Sequence, residues 1–468
     1  MFYHPEQHYP DRVALIDERG LVLTYKELAA AADQIAANLT ASRLVFIFCT
    51  NTPGMLCGYL ACLRAGAVPL MLDAGLDRQR IDELIEIYHP DLLWQPAAES
   101  AIPYIYQAFD YQLVPGQGKP FPLHPSLALL MSTSGSTGSP KLVRLSRRNL
   151  QSNAQSIANY LELNADERPL VHLPLHYVYG LSIVNSHLQV GATLILTQSG
   201  LMQREFWQGM EQHQVTSLAG VPYTFEMMHK LRFSRMSLPS LRTLTQAGGK
   251  LSPQLQQHFA ESARQNGRKF IVMYGAAEAT SRMAWLPPEL AILKCGSIGF
   301  AIPGGELHLV DDAGQKISEP EREGELVYSG ENVMLGYATS GNDLVRGDEL
   351  KGTLHTGDIA RFDREGCFTL VGRKKRFLKI FGNRVSLDQM EMLLKNHFEG
   401  LECACDGCDD RLTLFLTDPG LADEVKGYAA AATRLHPSAF HIKVINSIPR
   451  TASGKTDYRS LKIDEIDL

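Results

Sequence analysis

Long uninterrupted apolar runs are missing from this sequence. The most apolar stretch, LVFIFCTNTPGMLCGYLACLRAGAVPLML, is broken by Pro53, Gly54, Arg64 and Gly66, which suits a strand, a helix and a second strand better than a bilayer span. No membrane span is expected. Cysteine is sparse: eight in 468 residues cannot form the disulfide framework of a small secreted domain, so reduced thiols are expected. Cys403, Cys405 and Cys408 cluster, but ECACDGCDDRLTLFLT holds no paired CxxC sets and no nearby histidine. It reads as two strands around a turn, not as a metal site. Charge of one sign is not in excess either, and a formal net charge of -6 offers no broad attraction to nucleic acid or anionic lipid. The opening MFYHPEQHYP lacks the basic start and apolar core of a secretion signal, so a cytoplasmic protein is expected.

What is there is ample apolar material for more than one core. With 45% hydrophobic and 21% charged residues over 468 positions, the chain predicts at least two packed units. Strand-like runs alternate with helical stretches through the first three quarters: LVFIFC, PGMLCGYLACLRAG, AVPLML, then ATLILT, LRTLTQ and KFIVMYG. Such alternation predicts parallel sheets covered by helices, an α/β fold. From about Ile298 the pattern turns to short strands and turns, as in GGELHLVDDAG and GELVYSGENVMLGY, predicting a smaller β-rich subdomain. Near Gly372 the basic run GRKKRFLKIFGNR precedes the helical SLDQMEMLLKNHF. That change predicts a boundary between residues 1–372 and a C-terminal unit, 373–468.

The strongest local signal is STSGSTGSPK, directly after the apolar run LALLM. Hydroxyls and glycines at Thr133, Ser134, Gly135, Ser136, Thr137 and Gly138 let backbone N–H and side-chain O–H groups converge on phosphate oxygens, while Lys141 neutralises charge. It is not a Walker loop, because Pro140 stands where that pattern needs its second glycine. A flexible Ser/Gly linker explains neither the preceding strand nor the terminal Pro-Lys.

LPLHYVYG, AGGKL, YGAAEAT, HTGDIARFD, GRKKRFLKIFGNRVS and PRTASGK follow this loop, and LTYKEL lies near the N-terminus. In that order the motifs resemble the adenylate-forming, AMP-binding superfamily of acyl-CoA synthetases, firefly luciferase and peptide-synthetase adenylation domains, over nearly the whole chain. The resemblance implies a large N-terminal domain of two α/β subdomains plus a β subdomain, and a small mobile α+β C-terminal domain on a hinge. It also implies ATP and Mg²⁺ as cofactors, and activation of a carboxylic acid to acyl-AMP with pyrophosphate release. The acyl group then passes to the thiol of CoA or an acyl carrier protein.

By the same resemblance, Ser132 to Lys141 hold the β and γ phosphates. Gly248, Gly249 and Lys250 lie along adenine, Tyr274 stacks on it with Gly275, Ala276 and Ala277 beside it, and Glu278 holds Mg²⁺. Asp358 accepts hydrogen bonds from the ribose hydroxyls, a geometry that suits two carboxylate oxygens, and Arg373 supports ribose or phosphate. His176 sits near the acyl carbonyl at a gate to the thiol channel. Lys455 supplies the cation where the carboxylate meets the α-phosphorus, and Lys375 matches the hinge about which the C-terminal domain rotates between half-reactions. Tyr223, Phe225 and Met283 help line the acid pocket or are core residues.

Two departures narrow the reading. Ala277 stands where the family usually has threonine, removing a hydroxyl expected at the α-phosphate, for which Thr280 or water compensates. Amino-acid-activating members place an aspartate after the LPLHYVYG region, whereas LSIVNSHLQVGATLILT contains no acid, and a buried ammonium without a counter-charge is costly. A fatty, short-chain or aryl acid is therefore expected. The alternatives are an amino-acid substrate, a non-thiol acceptor, or a catalytically weakened nucleotide-binding relative.

Overall fold

The computed structural model describes residues 1–97, 103–132, 141–381, 383–398, 400–450 and 456–463, and strand counts below refer to these. The N-terminal part holds two large sheets of the α/β kind that the alternation predicted. The first has eight strands in the order Gly336–Ala338, Leu142–Ser146, Leu127–Ser132, Val68–Asp73, Leu44–Cys49, Leu92–Pro96, Tyr111–Pro115 and Tyr106–Ala108. Its centre is parallel, with Leu44 to Cys49 in register with Val68 to Asp73. Every residue of Leu44–Cys49 is buried, because helices cover both faces of such a sheet and leave no polar side to alternate with.

Helix boundaries follow local chemistry. Thr24 caps the helix Tyr25–Ala36 in a reciprocal capping box with Glu27. Pro53 opens the helix Pro53–Ala65, whose residues Pro53 to Leu63 are all buried. It packs against the helix Tyr25–Ala36 and the sheet, so the most apolar stretch of the chain is interior. Among the described residues, no helix is long and apolar enough to cross a membrane.

The second sheet runs Ser217–Gly220, Thr243–Gln246, Lys269–Tyr274, Ala284–Leu286, Phe300–Ala301. The first three strands are parallel, with Gly220, Gln246 and Val272 in register. Their C-terminal ends therefore lie at one edge, the usual place for a ligand crevice in open α/β sheets. A four-stranded sheet joins Val13–Asp17 and Val22–Thr24 to Leu194–Leu196 and Leu170–Val171. A further sheet carries Gly305–Val310, Gly324–Gly330, Thr353–Phe362 and Phe368–Arg373, with Lys316–Ile317 at its edge.

One segment departs from the expected division. The run GENVMLGY reads as part of the β-rich subdomain, but Gly336–Ala338 pairs antiparallel with Leu142–Ser146 at the edge of the first sheet. Val333, Met334 and Leu335 are buried, and the Met334 and Leu335 amides donate to the Glu278 and Arg144 carbonyls. Burial of three adjacent apolar side chains draws the segment back across the molecule.

Beyond residue 376 a separate core gathers Leu378, Met390, Leu394, Cys403, Cys405, Leu414 and Phe440. Cys403–Cys408 and Arg411–Leu416 form the expected hairpin, joined by Phe440–Val444. Helices Leu387–His397 and Ala422–Thr433 pack here. Cys403 and Cys405 face this core while Cys408 is exposed.

Candidate active site

Three clusters converge at the crevice edge. The first forms where strand Lys269–Tyr274 ends. The Tyr274 hydroxyl donates to Asp358 Oδ2, and Arg373 Nε lies 3.4 Å from Asp358 Oδ1. Asp358 and Arg373 are cross-strand partners, so the ladder itself sets this pair. Burial raises the Asp358 carboxyl above its ordinary range, opposed by Arg373 and the Tyr274 hydrogen bond. Burial, and then the Asp358 charge, push the Tyr274 phenol well up, so it stays a donor.

Gly275 follows at a close crossing of backbone. A Cβ there would come 1.6 Å from the Ser281 carbonyl oxygen, which leaves glycine as the fitting residue. The chain then turns through Ala277–Ala279 and presents Glu278.

Glu278 belongs to the second cluster, whose organiser is Tyr337. The Tyr337 hydroxyl donates to Glu278 Oε1 at 2.8 Å, and Lys141 Nζ sits 3.4 Å from the centroid of the same ring, a cation–π contact. Burial, then the Glu278 charge, raise the Tyr337 phenol above its usual range. Sequence reasoning missed Tyr337, since nothing in the spacing links it to a residue 59 positions earlier; only the fold-back of Gly336–Ala338 brings it in.

The third cluster lies between the first turn of the helix Val178–Gln189 and the loop after Thr243–Gln246. Gly248 has φ of +84°, and a Cβ on it would approach the Tyr177 hydroxyl to 2.6 Å. Lys250 Nζ donates to the Leu370 carbonyl at 3.3 Å. Burial lowers its pKa, opposed by Asp388. His176 Nε2 stands 3.9 Å from Asp73 Oδ2, and burial lowers its pKa, partly offset by Asp73. Among the described residues its buried Nδ1 has no hydrogen-bond partner. Asp73 was also missed, although an acid ending the apolar strand VPLMLD is a readable signal for a crevice residue.

The remaining expected residues divide by burial. Phe225 and Met283 are wholly buried, Phe225 edge-on to Phe259 and Phe270 in the core. Tyr223 is 41% exposed and carries Arg450 over its ring, 5.3 Å away. Arg450 also lies 3.8 Å from Glu226 and Glu402, so the segment leading into TASGK rests on the helix Pro222–Lys230. Thr280 donates its hydroxyl to the Asn332 carbonyl at 2.6 Å, so its proton is not available to stand in for the hydroxyl missing at Ala277. Thr133, Ser134, Gly135, Ser136, Thr137, Gly138 and Lys455 lie outside the described residues. Lys375 lies in the short turn Lys374–Arg376, beyond which Arg376 pairs with Asp388 at 2.5 Å and Glu391 at 2.6 Å.

Comparison with known proteins gives these clusters a context. The 2-succinylbenzoate–CoA ligase of Bacillus pumilus is 28% identical, over 97% of this chain and 95% of the relative. The indoleacetate–CoA ligase of Aromatoleum aromaticum is 30% identical, over 80% of this chain and 78% of its own. The solved structure of o-succinylbenzoate coenzyme A synthetase from Bacillus subtilis with ATP and magnesium ion superposes with a TM-score of 0.79 at 25% identity, covering 98% of each chain. The profile of the AMP-binding enzyme family matches residues 2–338, and the chain belongs to that family.

Proposed function

We propose that this chain is an ATP- and Mg²⁺-dependent acid–thiol ligase: it converts a carboxylic acid and ATP to acyl-AMP and pyrophosphate, then transfers the acyl group to the thiol of CoA. The observation that carries the reading is the convergence of Asp358–Tyr274, Glu278–Tyr337–Lys141 and Gly248–Lys250 at one crevice, in a chain that matches CoA ligases along most of its length. Asp358 receives the ribose hydroxyls, and the Tyr274 hydroxyl donates to one of its oxygens. Glu278 suits magnesium, since an oxygen donor matches a hard cation and Tyr337 fixes one carboxylate oxygen, leaving the other to coordinate. Bound there, the ion neutralises phosphate charge as pyrophosphate leaves.

Lys141 and the Thr133 to Gly138 loop meet the β and γ phosphates, and Lys455 meets the α-phosphate as the carboxylate attacks. The acid enters over His176 and Tyr177. Residues 373–468 act as a mobile cap turning at Lys375, and the contact of Arg450 with the helix Pro222–Lys230 is consistent with a closed arrangement. A carrier protein presents the same pantetheine thiol as CoA and is a second candidate acceptor. We assign the work to the cytoplasm, where ATP and CoA are found and unpaired cysteines persist.

The test is ATP–pyrophosphate exchange across a panel of carboxylic acids, followed by acyl transfer to CoA or to a pantetheinylated carrier protein. Exchange with at least one acid, and thioester formed from the same acid, are expected. Absence of exchange with every acid would refute the proposal.

A further inference from the structure

Glu278 stands on a turn whose backbone has to be held in place. Thr280, two residues on, has φ of +63°. Among the described non-glycine residues with positive φ, Thr280 alone is β-branched and alone is buried. That backbone region crowds a branched Cβ, so a threonine stays there only where its surroundings fix it. The turn itself supplies one bond, from the Thr280 amide to the Ala277 carbonyl at 3.0 Å.

The rest of the hold comes from one distant stretch, Tyr328 to Tyr337. Asn332 is 4% exposed and donates its side-chain amide to the Ala279 and Arg282 carbonyls at 2.8 and 2.9 Å. Its backbone carbonyl accepts the Thr280 hydroxyl at 2.6 Å. One asparagine thus ties Thr280 and the residues on both sides of it. The same stretch grips Glu278 directly: the Met334 amide donates to its carbonyl at 2.9 Å, and the Tyr337 hydroxyl to its carboxylate.

Asn332 is itself built into the interior. Carbonyls only accept, so its Nδ2 has to face Ala279 and Arg282, and the buried Tyr328 hydroxyl donates to Oδ1 at 2.8 Å. Asn149, on the helix Arg147–Tyr160, donates to the Glu331 and Val333 carbonyls at 2.6 and 2.8 Å and so fixes the backbone on either side. Gly330 leaves room for the pair, since a Cβ there would come 2.7 Å from Asn332 Oδ1.

We infer that Asn332 is a positioning residue for the metal site: it holds Thr280 in the left-handed region and thereby aims Glu278 at magnesium. This deepens the ligase reading and rests on its assignment of Glu278. A released Thr280 would leave that region, redirect the chain just after Glu278 and draw the carboxylate off the Tyr337 hydroxyl. The bonds of Asp358, assigned to ribose, run to Tyr274 and Arg373 instead, so ATP binding without metal should persist.

ATP binding to the full chain, with no carboxylic acid present, tests this without turnover. Calorimetric titrations in excess Mg²⁺ and in EDTA give two affinities, and their ratio measures what the metal adds. Wild type should bind ATP more tightly with Mg²⁺, and Glu278→Gln should remove most of that gain. Asn332→Ala should lower the ratio by about tenfold and Tyr328→Phe, which frees one end of the amide but keeps the ring, by about threefold, with the affinity in EDTA changed by less than about twofold. Thr280→Gly added to Asn332→Ala should restore part of the ratio, because glycine takes positive φ without cost. A residue that only stabilises the fold would not be rescued in this way.

Equal losses of affinity in Mg²⁺ and in EDTA, or an unchanged ratio in the variants with folding intact by circular dichroism, would make Asn332 structural and overturn the inference while leaving the ligase reading standing. Tyr328→Phe decides alone where Asn332→Ala does not fold. A wild-type affinity indifferent to Mg²⁺, or no response to Glu278→Gln, would remove the magnesium assignment itself and the inference with it.

Discussion

Tyr337→Phe isolates one hydroxyl in the second cluster while keeping the ring. The hydroxyl donates to Glu278 Oε1 at 2.8 Å, and the ring lies under Lys141 Nζ at 3.4 Å. Removing a hydrogen bond to a charged acceptor costs roughly 1.5 to 3 kcal/mol. Glu278 and Tyr337 are only partly buried, so water replaces some of the lost bond, and about 1 kcal/mol is the expected net effect. That corresponds to roughly a fivefold rise in the Mg²⁺ concentration for half-maximal pyrophosphate exchange, since tenfold is 1.4 kcal/mol. The maximal rate at saturating Mg²⁺ should change little. Tyr337→Leu also removes the cation–π face, worth about 0.5 to 2 kcal/mol, and should additionally raise the KM for ATP. The assay is a Mg²⁺ titration of exchange at several fixed ATP concentrations. An unchanged Mg²⁺ midpoint in Tyr337→Phe, with folding intact, would refute the positioning role. Identical behaviour of the two variants would show that ring and hydroxyl do not act separately.

Lys455→Ala should cripple acyl-AMP formation, while thioester formation from supplied acyl-AMP stays near wild type; equal loss in both steps would contradict the assignment to the first step. Gly275→Ala drives a Cβ to 1.6 Å from the Ser281 carbonyl oxygen, so stability should fall by about 2 to 3 kcal/mol with loss of ATP binding. Gly249→Ala, where the Cβ first meets Pro222 at 3.1 Å, should be milder in a denaturant melt. Burial lowers His187 to a pKa of about 4, opposed by its hydrogen bond to the Ile183 carbonyl, with Arg282 lowering it further. Its folded value therefore lies below the unfolded one, so its contribution is full above pH 6.5 and is lost as the pH falls toward 4. At about 1.4 kcal/mol per pH unit this reaches about 3 kcal/mol, and His187→Gln should show a smaller fall in thermal midpoint between pH 7.5 and 5 than the wild type.

The sequence by itself determined the elements and their chemistry. Alternating apolar runs and helical stretches fixed an α/β architecture, because a strand covered by helices on both faces has to be apolar throughout, as Leu44–Cys49 is. Ordered motifs, through their resemblance to the family, singled out Asp358, Tyr274, Glu278 and Gly248 as candidate groups for ribose, base and metal. The β hairpin at Cys403–Leu416 was legible for the same local reason. Long-range placement was decided only by the tertiary structure. Tyr337 reaches Glu278 because buried Val333, Met334 and Leu335 pull its strand onto the first sheet rather than the β-rich one, a contest between competing cores that no window of sequence contains. No motif of the sequence singles out Arg282. Only packing against Tyr160, Tyr179 and Ser182, with no carboxylate brought to it among the described residues, sets it apart, because whether a charge is paired depends on which distant chain segments fold against it.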